Sequence, residues 1–212
     1  MARSVGRPRG ADSQQTRKRI LDAAIKVYAE KGPEGASVRN IADAAGENTG
    51  LVYYYFSDKE ELFQSALVES AMRAMGGVLA AEARTAGSAT ERLEALYREY
   101  LRLIDEEPDV AMLALRALLY FVSEKEQPLG GIMFDRVKAV QNLVRAGQQE
   151  GGFTGVNPTA FGYAFISLAY SYLIAKLAKT ILPEDALPDV ESKDFLKIMK
   201  QVAGALEAES GD

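Results

Sequence analysis

Apolar positions recur every three or four residues along this chain, in blocks separated by glycine, proline and short polar runs. The first block, SQQTRKRILDAAIKVYAEKG, puts Ile20, Ala24, Val27 and Tyr28 on one helical face, with Asp12 or Ser13 placed to cap it and Gly32 to end it. In SVRNIADAAG, Ser37 suits an N-cap, Val38, Ile41, Ala42 and Ala45 share a face, and Gly46 stands where a left-handed C-cap is wanted. Asn48 is itself a good N-cap, so a third short helix over TGLVYYYF starts almost at once. Two short helices joined across a tight glycine turn make a helix-turn-helix pattern.

The same spacing continues to the C-terminus. Ser57, with Glu60 three residues on, predicts a capping box for a fourth helix, which can run through LFQSALVESAMRAMGGVLAAEARTA with a bend at Gly76 and Gly77. Further helices are predicted over 90–107, 109–123, 131–150, 158–182 and 192–207, with breaks at Pro108, EKEQPLGG, GGFTGVN and LPEDALPDVE. No segment alternates apolar and polar residues convincingly enough for a strand. The expected fold is therefore all-α, about nine helices: a basic arm over 1–11 expected to be disordered, a three-helix unit over 12–57, and a larger bundle over 58–212.

Composition narrows the chemistry. The 212 residues contain no cysteine, histidine or tryptophan, which removes Ser-His and Cys-His nucleophile pairs, histidine-ligated metals and disulfides, and fits a reducing cytoplasm. No metal or cofactor is expected. The N-terminal stretch MARSVGRPRGADS has charge but no apolar core of a signal peptide, and no later segment gives some 18 uncharged apolar residues in a row, so neither export nor a membrane span is expected. The formal net charge is −5, yet Arg3, Arg7, Arg9, Arg17, Lys18 and Arg19 face only Asp12 in the first 19 residues. That polarised end is the candidate surface for an anionic partner.

The stretch LVYYYFSDKEEL places three consecutive tyrosines on the third helix. In a helix starting at Thr49, Val52 and Phe56 turn toward the core, while Thr49, Tyr53 and Tyr54 face outward and Tyr55 packs near Phe56 with its hydroxyl at the rim. The outward hydroxyls suit phosphates or base edges, Gly50 permits close backbone approach, and Leu51 offers only apolar contact to a thymine methyl or a sugar. Lys59, in the first turn of the next helix, opposes the helix dipole unless an anion such as phosphate is present. Upstream, GRPRG resembles an AT-hook core, which would carry Arg7 and Arg9 into a narrow minor groove.

These residues together resemble the DNA-binding domain of the TetR family of repressors. The resemblance runs through Ser37-Val38-Arg39-Asn40-Ile41-Ala42, Ala45-Gly46, Gly50, Tyr53, Phe56, Lys59 and Leu62, over roughly the first third of the chain. It implies double-stranded DNA as partner, with Ser37, Arg39 and Lys59 on phosphate and Asn48, Thr49, Gly50, Leu51, Tyr53 and Tyr54 completing the DNA surface. It also implies a homodimer on a pseudo-palindromic operator, and a small-molecule effector whose binding among the later helices shifts the fourth and releases the DNA. The region 58–212 then becomes a ligand-binding and dimerisation domain.

Within it, Met72, Met75, Tyr97, Tyr100, Met112, Tyr120, Phe121 and Met133 are soft or aromatic residues suited to a pocket, and Arg116 interrupts VAMLALRALLYFV as a candidate partner for an anion. Helix 158–182 is apolar all round, with Phe161, Phe165, Leu168 and Tyr172 on one side and Tyr163, Ile166, Tyr170, Leu173 and Leu177 on another. One side needs a second cover. With Phe195, Ile198, Met199 and Val202 of the last helix, Phe161, Phe165, Leu168 and Tyr172 are the expected dimer interface. Two other readings stay open: an architectural DNA-binding protein without ligand control, and a helical enzyme using tyrosine and carboxylate acid–base groups.

Overall fold

The computed structural model of the protein describes residues 10–84, 86–124, 130–183, 186 and 188–208. They form nine α-helices: α1 (Gly10–Gly35), α2 (Val38–Ala45), α3 (Thr49–Tyr55), α4 (Lys59–Arg84), α5 (Ala89–Glu106), α6 (Pro108–Glu124), α7 (Gly130–Gln149), α8 (Pro158–Ile181) and α9 (Ser192–Ala208). No strand occurs among the described residues. The chain divides into two compact units, Met1–Ser70 and Ala71–Asp212, so α4 contributes its first twelve residues to one and the remainder to the other.

In the N-terminal unit, α2 packs against α1 and α3. Ile20, Ala24, Val27 and Tyr28 of α1, Val38, Ile41 and Ala42 of α2, Val52 and Phe56, and Leu62 and Phe63 of α4 close its core. The Tyr28 ring meets Phe63 edge-on with centroids 4.9 Å apart, and its buried hydroxyl donates to the Lys59 carbonyl at 3.2 Å. Burial, then the nearby Glu60, pushes the Tyr28 phenol well above its ordinary pKa, so it stays a donor.

Two local details differ from expectation. α1 begins at Gly10, ahead of the Asp12 or Ser13 cap, and takes in the last two residues assigned to the arm; at Gly32 the backbone leaves the helix (φ 69°, ψ 173°), as a terminator should, and one more turn follows through Pro33. The cap of α4 is Asp58 rather than Ser57: Asp58 Oδ1 accepts from the Glu61 amide at 2.8 Å, while the Ser57 amide and hydroxyl both donate to Glu61 Oε2. The reciprocal acid is thus Glu61, whose carboxyl the Ser57 hydroxyl and then the Ser57 amide hold below the usual carboxylate range, and not Glu60, which accepts from Gln64. A two-acid run leaves the capping register ambiguous by one residue. α4 runs through Gly76 and Gly77, where a bend was expected, as one continuous helix.

In the C-terminal unit α5 packs on α6, α7, α8 and α9, and α8 packs on α5, α6, α7 and α9. Ser88 caps α5 with a reciprocal bond from its own amide to Glu91, and Pro108, expected as a break, is the first residue of α6, where its missing N–H costs nothing. α8 starts at Pro158 behind the Asn157 cap. It is the one described helix long and apolar enough to cross a membrane, although only a third of that apolar stretch is buried in the protomer. Its inner face, Gly162, Phe165, Ile166, Ala169, Tyr172 and Leu173, is covered by the bundle. Tyr163 and Ile174 are more than half exposed, and Ile198 and Val202 of α9 are exposed as well.

This changes the face available to a partner. Phe165, Tyr172 and Met199, expected at a dimer interface, are buried inside the bundle, and Phe161, Leu168 and Phe195 are half-buried. Of the expected set only Ile198 and Val202 stand outward, and the uncovered side of α8 is that of Tyr163 and Ile174. With apolar residues all round, helical periodicity does not say which side meets the rest of the subunit.

Candidate nucleic-acid interface

Local capping builds the surface of α2 and α3. The Ser37 hydroxyl accepts from the Asn40 amide at 3.1 Å and donates to Asn40 Oδ1, which also accepts from the Ser37 amide. Gly46 lies in the left-handed region (φ 69°), its amide turning back to the Ala42 and Asp43 carbonyls, and Asn48 Oδ1 accepts from the Leu51 amide at 2.9 Å. Glycine alone takes that φ without steric cost, so the turn between the two helices can be this short. α3 is only seven residues long. Its orientation is held by Val52 and Phe56, each 1% exposed.

On the other side of α3, Tyr53 and Tyr54 are 53% and 56% exposed, with Asn48, Thr49 and Gly50 exposed beside them and Leu51 half-buried. Tyr55 is half-buried, meets Tyr54 edge-on at 5.1 Å, and its hydroxyl bonds Ser13 at 3.1 Å. Arg39 projects into solvent with only a long 4.0 Å ion pair to Asp43, and Lys59 is partly exposed at the start of α4. Arg19 is engaged by Glu47, and the Arg17 guanidinium lies 5.0 Å from the centroid of the Phe56 ring. Arg7 and Arg9 lie outside the described residues. Two hydroxyl-tipped rings and a small-residue helix start make the outer side of α3 polar, and the weakly paired Arg39 adds an exposed cation on α2; such groups suit phosphates and base edges.

The expected pocket residues of the bundle separate. Met72 is 56% exposed, whereas Met75, Tyr97 and Tyr100 are buried; Met112, Arg116 and Tyr120 are half-buried, and the side chains of Phe121 and Met133 lie outside the described residues. A cavity of about 10 Å³, close to the space of one water, is lined by Ala74, Tyr100, Leu103, Ile104, Ala111, Ala114, Arg136, Ala169 and Tyr170. Arg136 is 3% exposed; Nη1 donates to the Tyr170 hydroxyl and Nη2 to the Ala71 carbonyl, both at 3.0 Å. Burial pushes the Tyr97 phenol above its ordinary pKa, and that of Tyr100 too, against an opposing pull from Arg136.

A family model described as "Bacterial regulatory proteins, tetR family" matches residues 20–66, which span most of α1, the whole of α2 and α3, and the first turns of α4. The chain belongs to the tetR family. A curated relative, the HTH-type transcriptional repressor NicS of Pseudomonas putida, is 29% identical over 168 residues, 77% of this chain and 78% of that one. The regulator PksA of Bacillus subtilis is 43% identical over 60 residues, 28% of this chain and 29% of that one, so this tetR-family member is similar to it over less than a third of its length. Among solved structures, the fatty acid degradation regulator FadR of Bacillus halodurans shares the fold with a TM-score of 0.72 over 93% of this chain and 96% of that one, at 19% identity. AibR in complex with isovaleryl coenzyme A and operator DNA gives 0.65 over 88% and 97%, at 18% identity. Membership in the tetR family makes the protein a DNA-binding transcription regulator of an all-α, nine-helix type, not an enzyme.

For this tetR-family chain the buried cation is Arg136, whereas the sequence drew attention to Arg116. The signal for Arg136 is present in the pattern: residues 136, 140, 143, 144 and 147 form one helical stripe, and Val140, Leu143, Val144 and Gly147 are all buried. Arg116 interrupts a longer apolar run, yet it is only half-buried and has an interaction partner.

Proposed function

We propose that the protein is a homodimeric cytoplasmic repressor that holds a pseudo-palindromic operator through α3 and releases it when a small molecule binds the helical bundle. The observation that carries the DNA part is the division of α3, with Val52 and Phe56 locked in the core while Tyr53 and Tyr54 stand more than half exposed beside Thr49 and Gly50. In this reading Tyr53, Tyr54, Thr49 and Leu51 meet bases and sugars, and Gly50 and Asn48 allow close approach. Arg39, Lys59 and the amides at the starts of α2 and α4 hold phosphates. The Ser37 hydroxyl is already engaged by Asn40, so its share is chiefly to keep the α2 amides in place. Arg7 and Arg9 would add minor-groove contact. The functional division is an arm over 1–11, a DNA-reading part over 12–57 and a sensor and dimerisation part over 58–212.

A seven-residue reading helix spans too few base pairs for useful specificity, and a twofold pair remedies this. Support for pairing comes from the uncovered apolar side of α8 and α9, where Tyr163, Ile174, Ile198 and Val202 are exposed. Support for repression comes from NicS, named a repressor, and support for an effector from the acyl compounds held by structural relatives: isovaleryl coenzyme A in AibR and stearoyl-CoA in Bacillus subtilis FadR. A coupling of about 1–3 kcal/mol between the two sites is enough to change operator affinity from severalfold to a hundredfold. The test is a gel shift on the DNA upstream of the protein's own gene, with and without apolar and anionic metabolites. A shifted band that a metabolite releases is expected, and absence of any shift overturns the reading.

A further inference from the structure

We propose that Arg136 is the anion anchor of the effector site, so that the effector is a free carboxylate carrying a compact apolar body; this rests on the repressor reading above. Arg136 is 3% exposed, and both of its bonds are to neutral oxygens, the Tyr170 hydroxyl and the Ala71 carbonyl. Its Nε has no partner, and no carboxylate among the described residues forms an ion pair with it. A guanidinium has five N–H donors and keeps its charge in proteins, so burial without a counter-ion is costly unless something supplies one. The Tyr100 hydroxyl, on the wall of the same cavity, is also buried without a partner. A carboxylate seated there would take the Nε edge of the guanidinium and accept from Tyr100, satisfying both orphaned donors with one charge-assisted group.

The remaining walls set the rest of the ligand. Ala74, Leu103, Ile104, Ala111, Ala114 and Ala169 are apolar and mostly small. The empty space is about 10 Å³, so anything larger than water must spread the lining helices α4 to α8. The link to α4 is direct, because the Nη2 donor that an anion would draw away rests on the Ala71 carbonyl of that helix. Pulling it off leaves the carbonyl its place in the helical ladder, which keeps the movement inexpensive. A coenzyme A thioester has no free carboxylate at the acyl head and does not fit this anchor.

The full-length protein is titrated by calorimetry with butyrate to decanoate and benzoate, with the matching 1-alkanols and benzyl alcohol, and with octanoyl-CoA. At least one carboxylate is expected to bind about thirtyfold or more tightly than its alcohol and than octanoyl-CoA, with about that factor lost in Arg136→Met. Arg136→Lys should retain part of the affinity. Tyr100→Phe should lose severalfold without change in melting temperature, which keeps the proposal testable if Arg136→Met fails to fold. Binding by no carboxylate, equal binding of acid and alcohol, tighter binding of octanoyl-CoA, or undiminished binding to the Arg136 and Tyr100 variants each overturns it. Gel shifts in parallel separate the two readings. DNA released by a neutral member alone removes the anchor and leaves the repressor, whereas failure to bind upstream DNA removes the repressor itself.

Discussion

The two units treat polar and apolar groups in opposite ways. In Met1–Ser70 the buried polar groups are paired, Tyr28 with the Lys59 carbonyl and Ser70 with the Ala66 carbonyl, and the exposed aromatics end in hydroxyls. In Ala71–Asp212 lie all the buried side-chain polar atoms left without a partner among the described residues, including those of Tyr97, Tyr100 and Arg136. The same unit exposes the wholly apolar Ile174, Ile198 and Val202. Unpaired buried donors and uncovered apolar side chains are both unfavourable in an isolated subunit. Among the described residues the first unit pairs its buried polar groups internally, whereas the second leaves several unpaired. That contrast fits the proposed division into a rigid reading head and a sensor.

The strongest way to break the contrast is to unsettle the reading head from within. Phe56→Ala removes a ring that is 1% exposed and should cost about 3–5 kcal/mol, enough to unfold much of the N-terminal unit and abolish operator binding. Thermal melting followed by circular dichroism measures this, and a loss below 1 kcal/mol would mean that the α3 core is not rigid. Next in size, Tyr53→Ala and Tyr54→Ala should leave stability within about 0.5 kcal/mol, because both rings are more than half exposed. Each should weaken operator binding by about 1–3 kcal/mol if it meets a base or sugar. Lys59→Ala should weaken all sequences alike and flatten the slope of log affinity against log salt by about one. Unchanged binding in all three variants would remove this face as the DNA surface.

A smaller change tests whether the turn or the packing sets the angle between α2 and α3. Gly46 has φ 69° and a Cβ there would meet nothing within 4 Å, so Gly46→Ala isolates backbone strain from crowding. The expected cost is about 1 kcal/mol. Operator affinity measured well below the melting temperature should fall little if Val52 and Phe56 hold α3, and should fall with stability if the turn does.

The difference between the units also decides what could be read from the sequence. Ser37, Gly46 and Asn48 act on neighbours three or four residues away, so the motif, its turn and the split between Val52 and Tyr53 followed from local rules. Helix boundaries in the bundle were legible for the same reason, from the breaks at Pro108 and in the glycine- and proline-containing runs between blocks. The inner side of α8 was not, because large aromatic and aliphatic residues lie on both sides, with Tyr172 buried and Tyr163 exposed, and only packing against α5, α6, α7 and α9 distinguishes them. Arg136 escaped notice because a single charge on an apolar stripe is usually solvated at its tip. What buries it is the side chain's surroundings on α4, α5, α6 and α8, brought together from positions up to 65 residues away in sequence.

The smallest effect concerns a polar junction of the bundle that is complete by itself. Asp105 of α5 accepts from the Tyr172 hydroxyl at 2.6 Å and from Lys176 at 2.7 Å, both on α8. Burial opposes ionisation of Asp105, but the bonds from Lys176, Tyr172 and Ser192 outweigh it and hold the carboxyl below its ordinary range. Burial and then the bond to Asp105 push the Tyr172 phenol up to about 12. The stabilisation from Asp105 is therefore fully present above the unfolded carboxylate pKa, near 4, and is lost as pH falls through the lower folded value. That from Tyr172 is fully present below about pH 10 and is lost as pH rises toward 12. Because the Asp105 side chain is about a third exposed, screening keeps the contribution to about 1 kcal/mol or less. Asp105→Asn should lower the melting temperature slightly at pH 7 and make the fall in stability below pH 4 shallower, whereas Tyr172→Phe should remove the alkaline loss and, by taking away one donor to Asp105, also make the acid limb slightly shallower. If Asp105→Asn leaves the acid limb as steep as in the parent, the junction is not what acid breaks. Arg136 would not account for such an acid loss, because no carboxylate among the described residues is paired with it to be protonated.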